Sequence, residues 1–320
     1  MLRNLYEYDE YIGYKFIPNI QSRVNGHTGG YLIKTNSQGF RSDFDFKNEK
    51  SNQKRILVFG DSFTAGDGVS NGQRYTDFIS DNSKYEVYNF GLSGTGTDQQ
   101  YLIYKYYSRE IEYDLIILTI LVENIRRVNS KFRFYTNANG KMICYPKPYF
   151  KLGDGVLTLK QCPVPNDSFE YSELSESDKK KVDKGGKFFR TRNFINKIGA
   201  KNIAQKLFSF QPLPEFNSAS SDNWLLLKAI IKKWVAEINK PVFLIPLPTY
   251  HYIEGLADAS EYQNRFSELQ NESNVKILDP LTYFKSFEIN ERRNFRFERD
   301  PHLTKLGHLR LGQFITEALA

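Results

Sequence analysis

A serine near the start of the chain and an aspartate–histidine pair near its end are the residues best suited to chemistry. Ser62 follows an apolar run in Gly60-Asp61-Ser62, and Asp300 and His302 lie two positions apart. An imidazole can remove a serine proton, while a carboxylate fixes the tautomer and orientation of that imidazole. We therefore expect Ser62 to be a nucleophile, His302 its base and Asp300 the carboxylate that holds the base.

Two further segments provide candidate hydrogen-bond donors for the oxyanion that forms when a serine attacks a carbonyl. One strand is followed by a glycine-rich turn that contains Gly94, and the apolar run 114–122 is followed by Asn124. The backbone N–H groups of Ser62 and Gly94 and the side-chain amide of Asn124 are the expected donors. Losing one such donor typically lowers turnover by about 100- to 1000-fold.

These segments, in this order, resemble the SGNH/GDSL hydrolases. The matching positions are Ser62 in the GDS motif, Asn89, Ser93 and Gly94 in the glycine block, and Asp300, His302 and Leu303 in the terminal block. The resemblance implies ester hydrolysis or acyl transfer on a flavodoxin-like α/β/α sandwich, with no metal and no organic cofactor. Segments 36–41 and 147–150 also look like bacterial members from polysaccharide gene loci, which implies an acetyl ester of a carbohydrate as substrate.

The third block departs from the family pattern, because the chain reads Val122-Glu123-Asn124 where a glycine and an asparagine are usual. Ungapped counting puts Glu123 at the asparagine position, and a one-residue shift restores Asn124. We favour Asn124, since a carboxylate would repel the oxyanion. Arg126 either contributes positive charge to substrate binding or pairs with Glu123. His251 either contacts substrate or is an ordinary loop histidine.

Strands alternating with helices predict a parallel sheet. The predicted strands are 55–60, 85–90, 114–122, 242–246 and 275–278, and the predicted helices are about 73–82, 97–110, 224–239 and 304–319. We expect one domain over 1–320, with an irregular or short-stranded lead-in at 1–50 and a helical or loop insertion at about 131–222.

Composition favours a folded protein: 40% of the residues are hydrophobic and 15% are aromatic. Two cysteines give no disulfide framework, and four scattered histidines predict no metal site. The first residues contain no apolar block of secretory length, so we expect a cytoplasmic protein. The oligomeric state is not readable from the sequence.

The net charge of +7 is concentrated in one segment, because residues 179–201 hold nine Lys or Arg against one Asp. This segment is either a solvated surface or a lid that attracts an anionic substrate or a membrane surface. It resembles no nucleic-acid-binding module, so no nucleic-acid partner is expected.

The sequence thus predicts a serine esterase that acts on a small-molecule or oligosaccharide ester. Two alternatives stay open. An O-acyltransferase would use the same serine and histidine with a sugar hydroxyl as acceptor, and a binding protein would retain the fold without the activity.

Overall fold

The computed structural model describes residues 5–26, 29–50, 52–137, 139–179 and 210–320. His27 lies outside these ranges, as does all of the basic segment 179–201 except Lys179.

Short strands occur along most of the described chain. They are β1 (Tyr6–Asp9), β2 (Gly13–Phe16), β3 (Gln21–Val24), β4 (Tyr31–Lys34), β5 (Lys54–Phe59), β6 (Tyr85–Asn89), β7 (Leu115–Leu121), β8 (Phe132–Thr136), β9 (Met142–Pro146), β10 (Tyr149–Gly153), β11 (Val156–Lys160), β12 (Phe169–Glu170), β13 (Val242–Leu247), β14 (Val275–Ile277), β15 (Arg296–Phe297) and β16 (Asp300–Leu303). The α-helices are α1 (Ser62–Ala65), α2 (Tyr75–Asn82), α3 (Thr97–Tyr107), α4 (Asn124–Arg127), α5 (Asp222–Ala236), α6 (Tyr250–Ile253), α7 (Ser260–Ser267), α8 (Leu281–Lys285), α9 (Ile289–Arg293) and α10 (Lys305–Leu319). Single 3₁₀ turns cover Tyr171–Glu173 and Pro214–Phe216.

Five of the strands form a parallel sheet in the order β14-β13-β7-β5-β6. Counted along the chain among these five, the spatial order is 2-1-3-4-5, which is the flavodoxin-like arrangement. The predicted fold class is therefore confirmed. In this order the chain reverses direction across the sheet between β5 and β7, and ligands bind at the carboxyl ends of the strands at such a switch point.

Helices cover both faces of the sheet. Helix α2 packs against α10, and α3 packs against α5. All seven residues of β7 are buried, as expected for a central strand covered on both sides. On the side of α5, the ring of Trp234 packs edge-on against Phe59 with centroids 5.5 Å apart. The result is a three-layer α/β/α core. The loops after β5, β6 and β7 lie at the carboxyl ends of its strands.

The segments on either side of this core are richer in strands than the sequence predicts. Hairpins β1–β2 and β3–β4 form the short-stranded lead-in. The expectation of a helical or loop insertion is wrong for the described part of 131–222, because β8, β9 and β12 form a small sheet and β10 pairs with β11. These strands are short, and few of their residues are buried, so their apolar pattern is weak.

No helix in the described ranges is long and apolar enough to cross a bilayer.

A buried ion pair fastens the insertion to the sandwich. The Lys147 ammonium, which follows β9, donates to the carboxylate of Asp98 in the first turn of α3. The two side chains are 5% and 0% exposed. A buried charge without its partner is costly, so each group depends on the other.

We predict that Lys147→Met lowers the free energy of unfolding by about 3–5 kcal/mol, because it leaves the Asp98 carboxylate buried without its cation. Lys141→Met is the control, since Lys141 pairs with Glu170 at the surface with side chains 59% and 38% exposed. It should cost less than about 1 kcal/mol. Chemical denaturation followed by circular dichroism measures both, and equal losses in the two variants would contradict the prediction.

Candidate active site

The nucleophile candidate lies on a tight turn between β5 and α1. The Asp61 carboxylate accepts a hydrogen bond from the backbone N–H of Phe63 at 3.0 Å and so caps α1, whose first residue is Ser62. A Cβ on Gly60 would lie 2.0 Å from Oγ1 of Thr64, so the turn needs glycine there. The turn holds the Ser62 hydroxyl at the carboxyl end of the sheet.

The predicted triad residues lie within hydrogen-bond distance of one another. The Ser62 Oγ is 2.8 Å from Nε2 of His302, although the two residues are 240 positions apart. The Nδ1 atom of His302 is 2.5 Å from Oδ1 of Asp300, which also accepts the backbone N–H of His302 at 2.9 Å. Nδ1 therefore carries the proton toward Asp300, and Nε2 is free to accept the serine proton.

Carboxylates surround the imidazole. Burial alone lowers the pKa of His302, but the hydrogen bond that its Nδ1 donates to Asp300 and the negative charges of Asp67, Asp300 and Asp61 together raise it above its ordinary value. The net effect makes the imidazolium easier to form, which suits a group that must take up a proton from Ser62.

Arg127 compensates the most deeply buried of these carboxylates. Asp61 is 1% exposed, and burial raises its pKa while the charge of Arg127 opposes that rise. The Nη1 atom of Arg127 donates to Oδ2 of Asp61 at 2.9 Å and to the carbonyl of Thr95 at 3.1 Å. Arg127 thus joins the loops after β5, β6 and β7.

Asn124 and Gly94 lie in the loops on either side of Ser62. Asn124 is fully buried, and among the described residues neither its Oδ1 nor its Nδ2 has a hydrogen-bond partner. Glu123 precedes α4 and is partly exposed. A buried amide without a partner is rare and calls for an explanation. Of the two candidates for the third block, the structure buries Asn124 and leaves Glu123 at the surface.

The glycine block has two separate roles. Asn89 is structural: its Nδ2 donates to the carbonyl of Thr64 at 2.7 Å, and its Oδ1 accepts the N–H of Gly91 at 2.8 Å. Gly94 has φ of +78°, and a Cβ there would lie 2.7 Å from Nη2 of Arg133. Only glycine fits at this position, where its N–H is the expected donor.

Two predicted substrate contacts have other partners. Arg126 donates to both carboxylate oxygens of Glu215, at 2.5 and 3.0 Å, so the expected pair with Glu123 is not the one that forms. His251 packs between aromatic rings, with centroids 3.9 Å from Tyr250 and 5.4 Å from Phe210. The Arg126 guanidinium and the His251 ring therefore both contact other side chains of the protein.

Several residues that shape the site had no signal in the sequence. Asp67 accepts a hydrogen bond from Ser93 Oγ at 2.6 Å and so links the turn after α1 to the glycine block. Arg127 and Arg133 lie outside every motif of the family, and their place follows only from the packing of the loops. Within the described ranges, no group of three or more His, Cys, Asp or Glu side chains is placed to hold a metal ion.

The fold is a flavodoxin-like α/β/α sandwich, and the candidate site brings a serine, a histidine and an aspartate together. The model of the family described as GDSL-like Lipase/Acylhydrolase matches residues 56–147, which confirms the resemblance drawn from the motifs. No curated protein sequence matches the chain.

The chain is also similar to solved structures, including the following three. The lipase Lip_vut3 from a goat rumen metagenome is 14% identical, with 83% of this chain and 97% of that chain covered and a TM-score of 0.45. The lipase/acylhydrolase from Enterococcus faecalis is 12% identical, with 83% and 95% covered and a TM-score of 0.41. An acetyl xylan esterase, AlAXEase, is 14% identical, with 83% and 100% covered and a TM-score of 0.44.

We predict that the pKa of His302 lies above that of an ordinary histidine and falls in Asp300→Asn and in Asp67→Asn. Each change removes a negative charge that stabilises the imidazolium, so the pKa must move down. NMR titration of the imidazole protons measures it, with His302→Gln used to assign the signal. Asp258→Asn, which alters an exposed helix-capping carboxylate, is the control and should leave the pKa unchanged. A rise in either variant would refute the electrostatic argument.

Proposed function

We propose that the protein is a serine esterase that hydrolyses a short acyl ester, an acetyl ester in the first instance, of a carbohydrate or a similar small alcohol. The observation that carries the proposal is the hydrogen-bonded chain from Asp300 through His302 to Ser62. A serine without a catalytic role does not require an imidazole whose orientation is fixed by a carboxylate.

The proposed reaction has two steps. His302 takes the Ser62 proton while Oγ attacks the ester carbonyl, and the resulting imidazolium is stabilised by Asp300. The tetrahedral intermediate collapses, the alcohol leaves with the proton from His302, and an acyl-serine remains. Water, deprotonated by His302, then attacks the acyl-serine, and Ser62 leaves with the returned proton as the carboxylic acid is released.

The donors for the oxyanion are the backbone N–H groups of Ser62 and Gly94 and the amide of Asn124. What favours Asn124 is that its buried amide has no hydrogen-bond partner in the part of the chain that the structure describes. A donor held in place before the reaction costs no reorganisation when the negative charge develops.

The acyl group is proposed to enter a recess beside the triad. Its lining includes the apolar side chains of Phe63, Ile253 and Leu303, with Arg292 and Arg296 also at its wall. Apolar side chains suit an acyl chain. The carbohydrate part of the proposal rests on the resemblance of segments 36–41 and 147–150 to proteins of polysaccharide loci. A role of the 179–201 segment in attracting an anionic substrate also stays a proposal, because the segment lies outside the described residues.

We predict that Ser62→Ala lowers kcat for 4-nitrophenyl acetate by at least about 1000-fold, because the variant has no nucleophile. Thermal unfolding should be close to that of the wild type. Ser286→Ala, which removes a surface hydroxyl at the end of α8, is the matched control and should keep full activity.

A fluorophosphonate probe provides an independent readout of the same serine. The wild type should be labelled and Ser62→Ala should not. An unlabelled, inactive wild type would favour a binding protein on the same fold. If added sugar alcohols accept the acyl group in preference to water, the acyltransferase alternative replaces the hydrolase.

We predict that Asn124→Ala lowers kcat by about 100- to 1000-fold, as expected for loss of an oxyanion donor. Glu123→Gln is the matched control, because the neighbouring side chain is partly exposed and should alter kcat by less than about threefold. Steady-state kinetics on one ester measures both. The reverse pattern, with Glu123 essential and Asn124 dispensable, would contradict the assignment of Asn124 as the oxyanion donor.

A further inference from the structure

Arg133 is a cation beside the candidate oxyanion site that the proposed reaction does not use. It lies on β8, the first strand of the insertion, and its guanidinium rests against Gly94. A Cβ on Gly94 would lie 2.7 Å from Nη2 and 2.8 Å from Cζ of Arg133. The charge is therefore adjacent to the residue whose N–H is expected to hold the oxyanion.

Three tyrosine rings surround this guanidinium. Its Cζ lies 3.9 Å from the ring centroid of Tyr14, 4.5 Å from that of Tyr135 and 5.5 Å from that of Tyr6. Such contacts stabilise a cation through the negative faces of the rings, but they do not bind its N–H groups. The rings fix the position of the charge and leave its donors available.

Within the described residues the guanidinium lacks an anionic partner. No Asp or Glu oxygen there lies within 4.0 Å of its nitrogens, and its Nη1 is buried with no hydrogen-bond partner. Arginine stays charged under all ordinary conditions, and a buried charged donor without a partner is unfavourable. Arg41 and Arg55, which are also buried, each donate to several carbonyl oxygens.

We propose that Arg133 binds an anionic group, a carboxylate or a phosphate, carried by the ester substrate. This inference rests on the proposed function and specifies its substrate class. A guanidinium presents a fork of N–H donors that matches both anions. The unpaired Nη1 is the group that such an anion would satisfy.

The position of Arg133 relative to the triad supports this role. The Tyr14 hydroxyl donates to the carbonyl of Ser93 at 2.8 Å, so the tyrosine cage is attached to the glycine block. Asp67, which accepts a hydrogen bond from Ser93 Oγ at 2.6 Å in the same block, raises the pKa of both Arg133 and His302 through its charge. An anion on Arg133 therefore lies close to the scissile ester, on the acyl or the alcohol side.

Matched pairs of esters test the proposal. For an anion on the acyl side, 4-nitrophenyl hemisuccinate is compared with 4-nitrophenyl butyrate. For the alcohol side, 4-acetoxybenzoate is compared with 4-acetoxybenzamide, and an acetylated sugar phosphate with the acetylated sugar. In Arg133→Met the ratio of kcat/KM for the charged ester to that for the neutral ester should fall about 10- to 100-fold in at least one pair, the size expected for one charged hydrogen bond.

Two further variants complete the design. Arg133→Lys retains the positive charge and should keep part of the ratio, which separates a loss of charge from a loss of packing. Arg310→Met is the matched control: Arg310 also stacks on an aromatic ring, with its Cζ 4.5 Å from the Phe287 centroid, but it pairs with Glu291 on a distant helix. It should leave every ratio unchanged. Equal losses on charged and neutral esters in Arg133→Met would overturn the proposal.

A binding measurement separates this inference from the proposed function. Calorimetry on Ser62→Ala gives the Kd of 4-acetoxybenzoate, of 4-nitrophenyl hemisuccinate and of the acetylated sugar phosphate, because this variant does not turn them over. Adding Arg133→Met should weaken the best of these about 10- to 100-fold. Unchanged Kd values would overturn the inference even in an active esterase, whereas a Kd effect with no hydrolysis by the wild type would overturn the esterase and keep the anion site.

Discussion

The buried Asp61 carboxylate and the partly exposed Arg127 form an ion pair at the point where the loops after β5, β6 and β7 meet. Asp61 caps the helix that begins with Ser62, while Arg127 holds Asp61 and the carbonyl of Thr95 and lies in the same short helix as Asn124. With Asp61 only 1% exposed, its charge needs this partner, because an unpaired buried charge costs several kcal/mol. One contact thus fixes the relative positions of the nucleophile and the expected oxyanion donors.

Buried cations from the lead-in and from the insertion also bind these loops. Arg41 is fully buried and donates to the carbonyls of Gly66 and Val69, so the lead-in secures the turn that ends the nucleophile helix. Burial and the nearby charge of Arg74 lower the pKa of Arg41 to about 10, which leaves it charged at neutral pH. Lys147 does the equivalent for the start of α3 through Asp98. Segments 36–41 and 147–150 therefore each supply one of these supports.

The sequence predicted the parts whose signal is local. The strands β5, β7 and β13 of the central sheet are apolar runs, and the predicted strand 55–60 agrees with β5 to one residue at each end. The prediction for the insertion was wrong because its strands are short, half-exposed and paired outside the central sheet. Neither their length nor the periodicity of their apolar residues indicates strands. The choice between Glu123 and Asn124 depended on which side chain turns inward, a property of the packing around α4 that no spacing rule contains. Arg133 was invisible for the same reason, since its neighbours Tyr14 and Gly94 come from distant parts of the chain.

The charges around Ser62 are separated in the direction that acyl transfer requires. In the proposed reaction positive charge develops on His302, whose Nδ1 donates to Asp300. On the other side, Gly94 with Arg133 against it lies where the oxyanion is expected. A tetrahedral intermediate pairs an imidazolium with an oxyanion, so a fixed field of this sign stabilises both charges at once without reorganisation. In the proposed reaction the same arrangement discriminates among substrates, because an anion near His302 meets Asp300 whereas an anion near Gly94 meets the Arg133 guanidinium.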